Sequence, residues 1–461
     1  VETRQDDTIA AISTPLGEGG IAVIRLSGPE AMSIVRKVFR SHRKILQAES
    51  RRAYQGWIMD GEEPVDEVVL TYFRAPHSYT GEDVVEVSCH GGRFVSQRIL
   101  ELVMDQGARL SAPGEFTQRG FLHNKMDLSQ AEAVADLIQA RTEASRRVAA
   151  YQLQGQLSLR LKDMRDHLIN ACSLLEIELD FSEEDVTFAS RKELMRMLRS
   201  IKKEMQDLLS TFDRGRVCRE GIRMVISGRP NVGKSSVLNA LLERERAIVT
   251  EIPGTTRDTI EEMLDIGGLL FVITDTAGIC KTDDPIEKES VRRAEEAIET
   301  ADFVLVVIDG SRPLTRDDEM LIEKVKKSTK RALYVINKND LGQRVEIQTL
   351  KERVPDAGLV HVSALKKKGF SKLLQKLEET VLADGIPHTG EAVLTRLRHW
   401  ESLNRAMKHV RRAILSIRKE MSQEFIVLDL RGAMDALGEI TGQTTAEDVL
   451  KHIFSEFCIG K

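Results

Sequence analysis

The sequence predicts a multidomain α/β protein: an α+β domain, then a discontinuous helical domain interrupted by an inserted domain with a doubly wound, mostly parallel sheet. Three observations predict it. Short apolar runs punctuated by glycine fill the stretch from Thr8 to about Phe121. Helix-spaced text follows from Asp127 and returns near Thr395. Between those helical stretches, continuous apolar runs alternate with helical spacing, the pattern of parallel strands buried on both faces. A chain of 461 residues also exceeds what one core organises, roughly 250–300 residues.

In the N-terminal domain, residues 1–121, the runs IAAIS, GIAVIRLSG, EVVLTYF and DVVEVSCHGG read as strands. PEAMSIVRKVF and RFVSQRILELVMDQ, with apolar residues three and four apart, read as helices packed on that sheet. Arg25, Glu86 and Arg93 fall on or beside strands, where a charge ordinarily faces solvent. The first helical part, residues 122–217, contains a long proline-free stretch from Ala131 to Phe181 that reads as continuous helix. Leu161, Met164, Leu168, Cys172 and Leu175 share one stripe, which makes Cys172 a core residue. A further helix, KELMRMLRSIKKEMQDLLSTF, runs to about Arg214. In the second helical part, residues 385–461, Leu403, Met407, Val410, Ile414 and Ile417 repeat the spacing. The simplest topology inserts residues 218–384 at a loop tip of an elongated bundle.

Within the insert, IRMVIS leads into GRPNVGKSS, Gly228 to Ser236, and VLNALL follows. Gly-x-x-x-x-Gly-Lys-Ser with a strand before it and a helix after it reads as a phosphate loop. Its cradle is Asn231, Val232, Gly233, Lys234, Ser235 and Ser236. Gly228 and Gly233 let the backbone turn its N–H groups onto phosphate oxygens, Lys234 adds a point charge, and Ser235 is placed for Mg²⁺.

The base is specified by NKND, which follows the run ALYVIN. The Asp340 carboxylate can accept from both the ring N–H and the exocyclic amine of guanine, a donor pair that adenine lacks; with Asn337 and Lys338 it points to GTP. VSAL supplies Ser363 and Ala364 as backbone support, with Leu365 where a lysine is usual. DTAG, comprising Asp275, Thr276, Ala277 and Gly278, ends the run LLFVIT; Asp275 is expected in the Mg²⁺ shell and the Gly278 N–H at the γ-phosphate. The segment TEIPGTTRD reads as a switch, with Thr250, Glu251, Ile252, Pro253, Gly254, Thr255 and Thr256 around the nucleotide and Thr256 as second Mg²⁺ ligand. Ile279 stands where Ras-like enzymes place a glutamine to orient water, and an apolar side chain cannot do so.

Composition narrows the function. A net charge of −5 and a pI near 6.2 give no global basic field, so any RNA contact is local. No apolar run approaches the ~20 residues that span a bilayer, and VETRQDDTIAAIS lacks the basic and apolar regions of a signal peptide, so a cytoplasmic protein without a membrane partner is expected. Five cysteines, none spaced C-x-x-C, indicate neither a disulfide framework nor a zinc site. No G-x-G-x-x-G with a ribose-binding acid appears, so flavin and nicotinamide chemistry is left to another chain.

With these motifs, the segments TGEDVVEVSCHGG, APGEFTQRGFLHNKMDLSQAEAVADLI and LGEITGQTTAEDVLKHIFSEFCIGK resemble the tRNA-modifying GTPase family known as MnmE or TrmE, over nearly the whole chain. The resemblance implies a Ras-like GTPase insert, K⁺-stimulated GTP hydrolysis through dimerisation of the GTPase domains, and a homodimer held by the N-terminal domain. It implies that Asn231 with the backbone of Thr250, Ile252 and Thr255 coordinates K⁺, that Asn231 and Lys234 act in catalysis, and that Glu287 orients the attacking water. Cys280 replaces an arginine frequent in the family. The N-terminal domain is implied to bind a formyl- or methylene-tetrahydrofolate, with Arg25, Glu86, Lys125 and Lys461 as contacts. Cys458, near that pocket, is the tempting nucleophile. The implied reaction adds an aminomethyl or carboxymethylaminomethyl group at carbon five of a tRNA wobble uridine, together with an FAD- and NADH-dependent partner subunit of the GidA or MnmG type. GTP turnover would drive domain rearrangement, with hinges near Arg214 to Gly221 and Ala383 to Thr389. Two other readings compete with it: a regulatory or ribosome-assembly GTPase switch, and a folate-dependent one-carbon enzyme carrying an accessory GTPase.

Overall fold

A computed structural model describes residues 7–15, 17–41, 49–180, 191–244, 261–275, 296–328, 331–354, 358–381, 385, 387–388 and 390–461. The chain forms two compact units, one of residues 1–135, 153–202 and 402–461, the other of residues 136–152 and 203–401.

The first unit holds a seven-stranded sheet of β1 (Ile9–Ile12), β2 (Gly19–Ser27), β3 (Phe39–Arg40), β4 (Ala53–Asp60), β5 (Glu63–Phe73), β6 (Val84–Gly91) and β7 (Arg109–Leu110). The spatial order is β3-β4-β5-β6-β2-β1-β7, antiparallel except for the β1/β7 pair. Alternation decides what each face does. Ala22, Ile24 and Leu26 of β2 and Val85, Val87 and Cys89 of β6 join the core beneath helices Ala31–Val38 and Arg93–Asp105. Arg25 and Glu86, opposite in register, point to the other face. There Ile9, Ala11 and Phe116 form a smaller cluster with Tyr79.

The stretch expected as one long helix is three: Leu128–Gln139, Glu143–Leu153 and Gln156–Asp180. Thr142 and Ser145 exchange side-chain-to-backbone hydrogen bonds, at 3.1 and 3.3 Å, and so cap a new start. Gly155, at φ +85°, breaks the chain again. The stripe Leu161, Met164, Leu168, Cys172 and Leu175 is buried as expected, and helix Gln423–Thr441 packs on this helix. Phe454 and Phe457 of the C-terminal tail pack with Leu128 and Ala131. The tail then reaches β1, where Ser13 Oγ donates to the Gly460 carbonyl at 3.1 Å and a Cβ on Gly460 would come within 2.5 Å of Ile12 O.

The second unit holds a six-stranded sheet of β8 (Ile222–Ser227), β9 (Glu261–Ile266), β10 (Leu269–Asp275), β11 (Phe303–Asp309), β12 (Arg331–Asn337) and β13 (Gly358–His361). Its order is β13-β12-β11-β8-β10-β9, parallel except for the β9/β10 hairpin. Every residue of β11 is buried, and alternate ones feed opposite cores: Phe303, Leu305 and Val307 on one side, Val304, Val306 and Ile308 on the other. That is why these strands read as unbroken apolar text. The helix expected to reach Arg214 divides into Arg191–Leu209 and Phe212–Glu220, and the second piece ends at Gly221, φ +83°. Of the two regions named as hinges, 214–220 is helix and Gly221 its positive-φ end, while residues 383, 384, 386 and 389 of the other lie outside the described residues.

Candidate functional site

Strand β8 ends at Ser227, and helix Lys234–Leu242 begins after Gly233 at φ +97°. The loop between them is shaped by close approaches. A Cβ on Gly228 would stand 2.4 Å from Val307 O, and one on Gly233 2.4 Å from Asn337 Nδ2, so only glycine fits at either position. Asn231 takes a left-handed conformation, φ +65°, and is exposed with Ser235 and Ser236. Lys234 Nζ donates to the carbonyls of Gly228 at 2.9 Å and Arg229 at 3.1 Å, which folds its ammonium back across the loop.

The predicted guanine segments converge on the same loop at the carboxyl ends of the parallel strands. Asn337, buried, donates to Val232 O at 2.9 Å and accepts from the Ala364 N–H at 3.0 Å. One amide thus ties the phosphate loop, NKND and VSAL together. Lys338, at φ +64°, donates at 2.7 Å both to Asn231 O and to Asp309. Burial raises the Asp309 carboxyl, but hydrogen bonds from Lys338 and Ser311 outweigh it and hold its pKa below the ordinary value. Asp340 is exposed and accepts from Ser363 Oγ, which lowers its pKa. The Asp340 carboxylate therefore stays charged and aligned by a buried hydroxyl. Asp309 was missed by motif reading; its one signal is its place as the terminal residue of FVLVVID.

Asp275 ends β10 with its backbone in register beside Ile226. Thr250, Glu251, Ile252, Pro253, Gly254, Thr255, Thr256, Thr276, Ala277, Gly278 and Glu287 lie outside the described residues.

In the first unit, Arg25 donates to Glu86 Oε1 through Nε at 2.9 Å and Nη2 at 2.8 Å. Its guanidinium lies 5.2 Å from the Tyr79 ring centroid and 5.8 Å from that of Phe116. Arg25 Nη1 is buried and has no hydrogen-bond partner. Lys461 is brought to this pair: burial first, then the Arg25 charge, lower its ammonium pKa, with Glu86 acting the other way. Lys125 is exposed and donates to Pro76 O at 3.0 Å. The rings of Tyr79 and Phe116 under Arg25 carried no sequence signal, because nothing in the text sets them on the face of β2 that Arg25 occupies. Cys458 is exposed, whereas Cys89, Cys172 and Cys218 are buried.

Two family models match the chain: the MnmE helical domain over residues 128–458 and the N-terminus of the GTP-binding protein TrmE over residues 8–125. Among similar chains, the tRNA modification GTPase MnmE of Natranaerobius thermophilus is 43% identical over 458 residues, covering 99% of this chain and 100% of that one. Those of Geobacter sulfurreducens and Clostridioides difficile are 45% and 42% identical, each covering 99% of both chains.

Proposed function

The chain belongs to the MnmE (TrmE) family of tRNA modification GTPases, and from that premise we propose that it hydrolyses GTP in the service of modifying a tRNA wobble uridine. The observation that carries the nucleotide reading is Asn337, which joins Val232 and Ala364 while Ser363 holds Asp340 ready for a guanine edge. Residues Asn231 to Ser236 would cradle the phosphates, with Ser235, Thr256 and Asp275 serving Mg²⁺. Lys234 would exchange the loop carbonyls it now holds for phosphate oxygens. Asn231, with backbone oxygens of Thr250, Ile252 and Thr255, would hold K⁺; the exposed left-handed Asn231 suits that role. A bound cation there offsets charge that develops as the phosphoryl group departs. Glu287 would orient the attacking water.

A tetrahydrofolate would lie against the face of β2 and β6 that carries Arg25 and Glu86. The buried, unpartnered Arg25 Nη1 and the cation of Lys461 can meet a carboxylate, while Glu86 can accept from an amino-pterin edge. Bound folate would supply the one-carbon unit. This chain's own part is to hold it: Arg25 positions Glu86, and Tyr79 and Phe116 flank the guanidinium. The flavin and nicotinamide chemistry would come from an FAD-dependent partner subunit, and the chain would work as a homodimer in the cytoplasm.

Nucleoside mass spectrometry of tRNA from cells lacking the protein, complemented with wild type or Glu287→Ala, tests the reading. The wobble modification should vanish and return only with wild type, while purified Glu287→Ala retains GTP binding and loses most hydrolysis. Unchanged nucleosides would replace this reading with that of a regulatory GTPase.

A further inference from the structure

Within the first unit, a cleft of about 610 Å³ opens between the 122–127 loop, one face of helix Gln156–Asp180 and the end of helix Gln423–Thr441. Its size lies in the small-molecule range of roughly 300–1,000 Å³. Arg165 Nε, in its wall, is buried and has no hydrogen-bond partner. Neither Arg165 nor Lys162, one turn earlier, makes a hydrogen bond or ion pair among the described residues. Buried guanidinium N–H groups are nearly always paired. One left open at a cleft is placed to receive an anion.

The rest of the lining limits which anion. Phe121 sits so close to Gly442 that a Cβ there would come within 2.6 Å of its ring, and Leu122 and Leu159 stand 41% and 57% exposed. A flat apolar surface therefore accompanies the two cations. Asn124 and Gln443 add amides able to meet the edge of a heterocycle. Asp127 and Asp166 also line the cleft, so two carboxylates offset two cations. A triphosphate would be repelled by both carboxylates. One phosphodiester with one base has the charge and shape that fit.

Resting on the tRNA reading above, we propose that this cleft holds one nucleotide of the RNA substrate, its phosphodiester on Arg165 and Lys162 and its base against Phe121, Leu122 and Leu159. The full chain is titrated against fluorescently labelled tRNA and, separately, against uridine 5′-monophosphate, as wild type, as Arg165→Gln with Lys162→Gln, and as Leu159→Glu. Both variants should lose tRNA affinity on the order of 10-fold, and the salt slope of the double variant should flatten by about 1. Basal GTP hydrolysis and the thermal melt followed by circular dichroism should both be unchanged, the first reporting an intact second unit and the melt an intact first unit. Equal tRNA affinity in all three overturns the cleft while the tRNA reading stands. Wild type that binds no tRNA, even with its partner subunit present, overturns both. Uridine monophosphate binding lost in the variants, with tRNA affinity intact, overturns the proposal in favour of a free-nucleotide site.

Discussion

Asn337 shows how much one buried amide decides: its two hydrogen bonds set the distance from the phosphate loop to the base-reading segment, and neither bond is local in sequence. Asp340, beside it, is the residue proposed to read the base. Asp340→Asn puts a donor where guanine also donates, and a lost charge-assisted hydrogen bond is worth about 1.5–3 kcal/mol. The Kd for GTP should rise by about 10- to 100-fold in a fluorescent-nucleotide titration; an unchanged Kd removes Asp340 from base recognition. Thiol chemistry gives a second prediction at this scale. Burial pushes Cys89, Cys172 and Cys218 up to about 11, so near neutral pH they are protonated as well as shielded. Of these and the exposed Cys458, iodoacetamide at pH 7.5 should label Cys458 first, with the other three labelled only in denaturant. Early labelling of Cys218 in peptide maps would contradict the packing.

Among the elements, helix Phe212–Glu220 carries an instructive glycine. In a helix interior, alanine is ordinarily more favourable than glycine by about 1 kcal/mol. A Cβ on Gly215, however, would stand 2.1 Å from Leu394 O, because the helix lies directly on that backbone. Gly215→Ala should therefore destabilise the unit by about 1–3 kcal/mol, the usual cost of overpacking, and lower its urea midpoint. A raised midpoint would mean that propensity outweighs the contact. The strands missed in the sequence are elements of the same kind, set by neighbours. Strand β9, EEMLDI, buries Leu264 and Ile266 with only Asp265 between them, a short signal that gains meaning only from its hairpin with β10. In the first unit, β4 likewise depends on its long pairing with β5.

For the whole molecule, the proposed K⁺ mechanism ties chemistry to assembly. If two GTPase domains must meet across the nucleotide, hydrolysis per chain should rise with protein concentration in KCl and stay low and flat in NaCl. Turnover equal in the two salts would reject both K⁺ coordination by Asn231 and dimer-dependent catalysis. The low net charge of −5 bears on the same scale: RNA must be met by local cations such as Lys162 and Arg165, with no long-range field to gather it.

The sequence by itself determined the strand–loop–helix turn at Gly228–Lys234 and the sheet beneath it. A phosphate loop requires particular residues at fixed spacing, and parallel strands buried on both faces must be continuously apolar, so both are written in local text. The helical stripes were legible for the same reason, down to Cys172 in the core. Other features were decided only by tertiary structure. The breaks at Thr142 and Gly155 depend on capping and on a left-handed turn that a proline-free run conceals. The meeting of Arg25 and Glu86 with Lys461 depends on β2/β6 register and on a C-terminal tail docked at β1. The cleft around Arg165 needs three segments far apart in the chain. Spacing along a chain records bonds between near neighbours; partners drawn together by burial leave no periodic trace, and their geometry appears only when the core has formed.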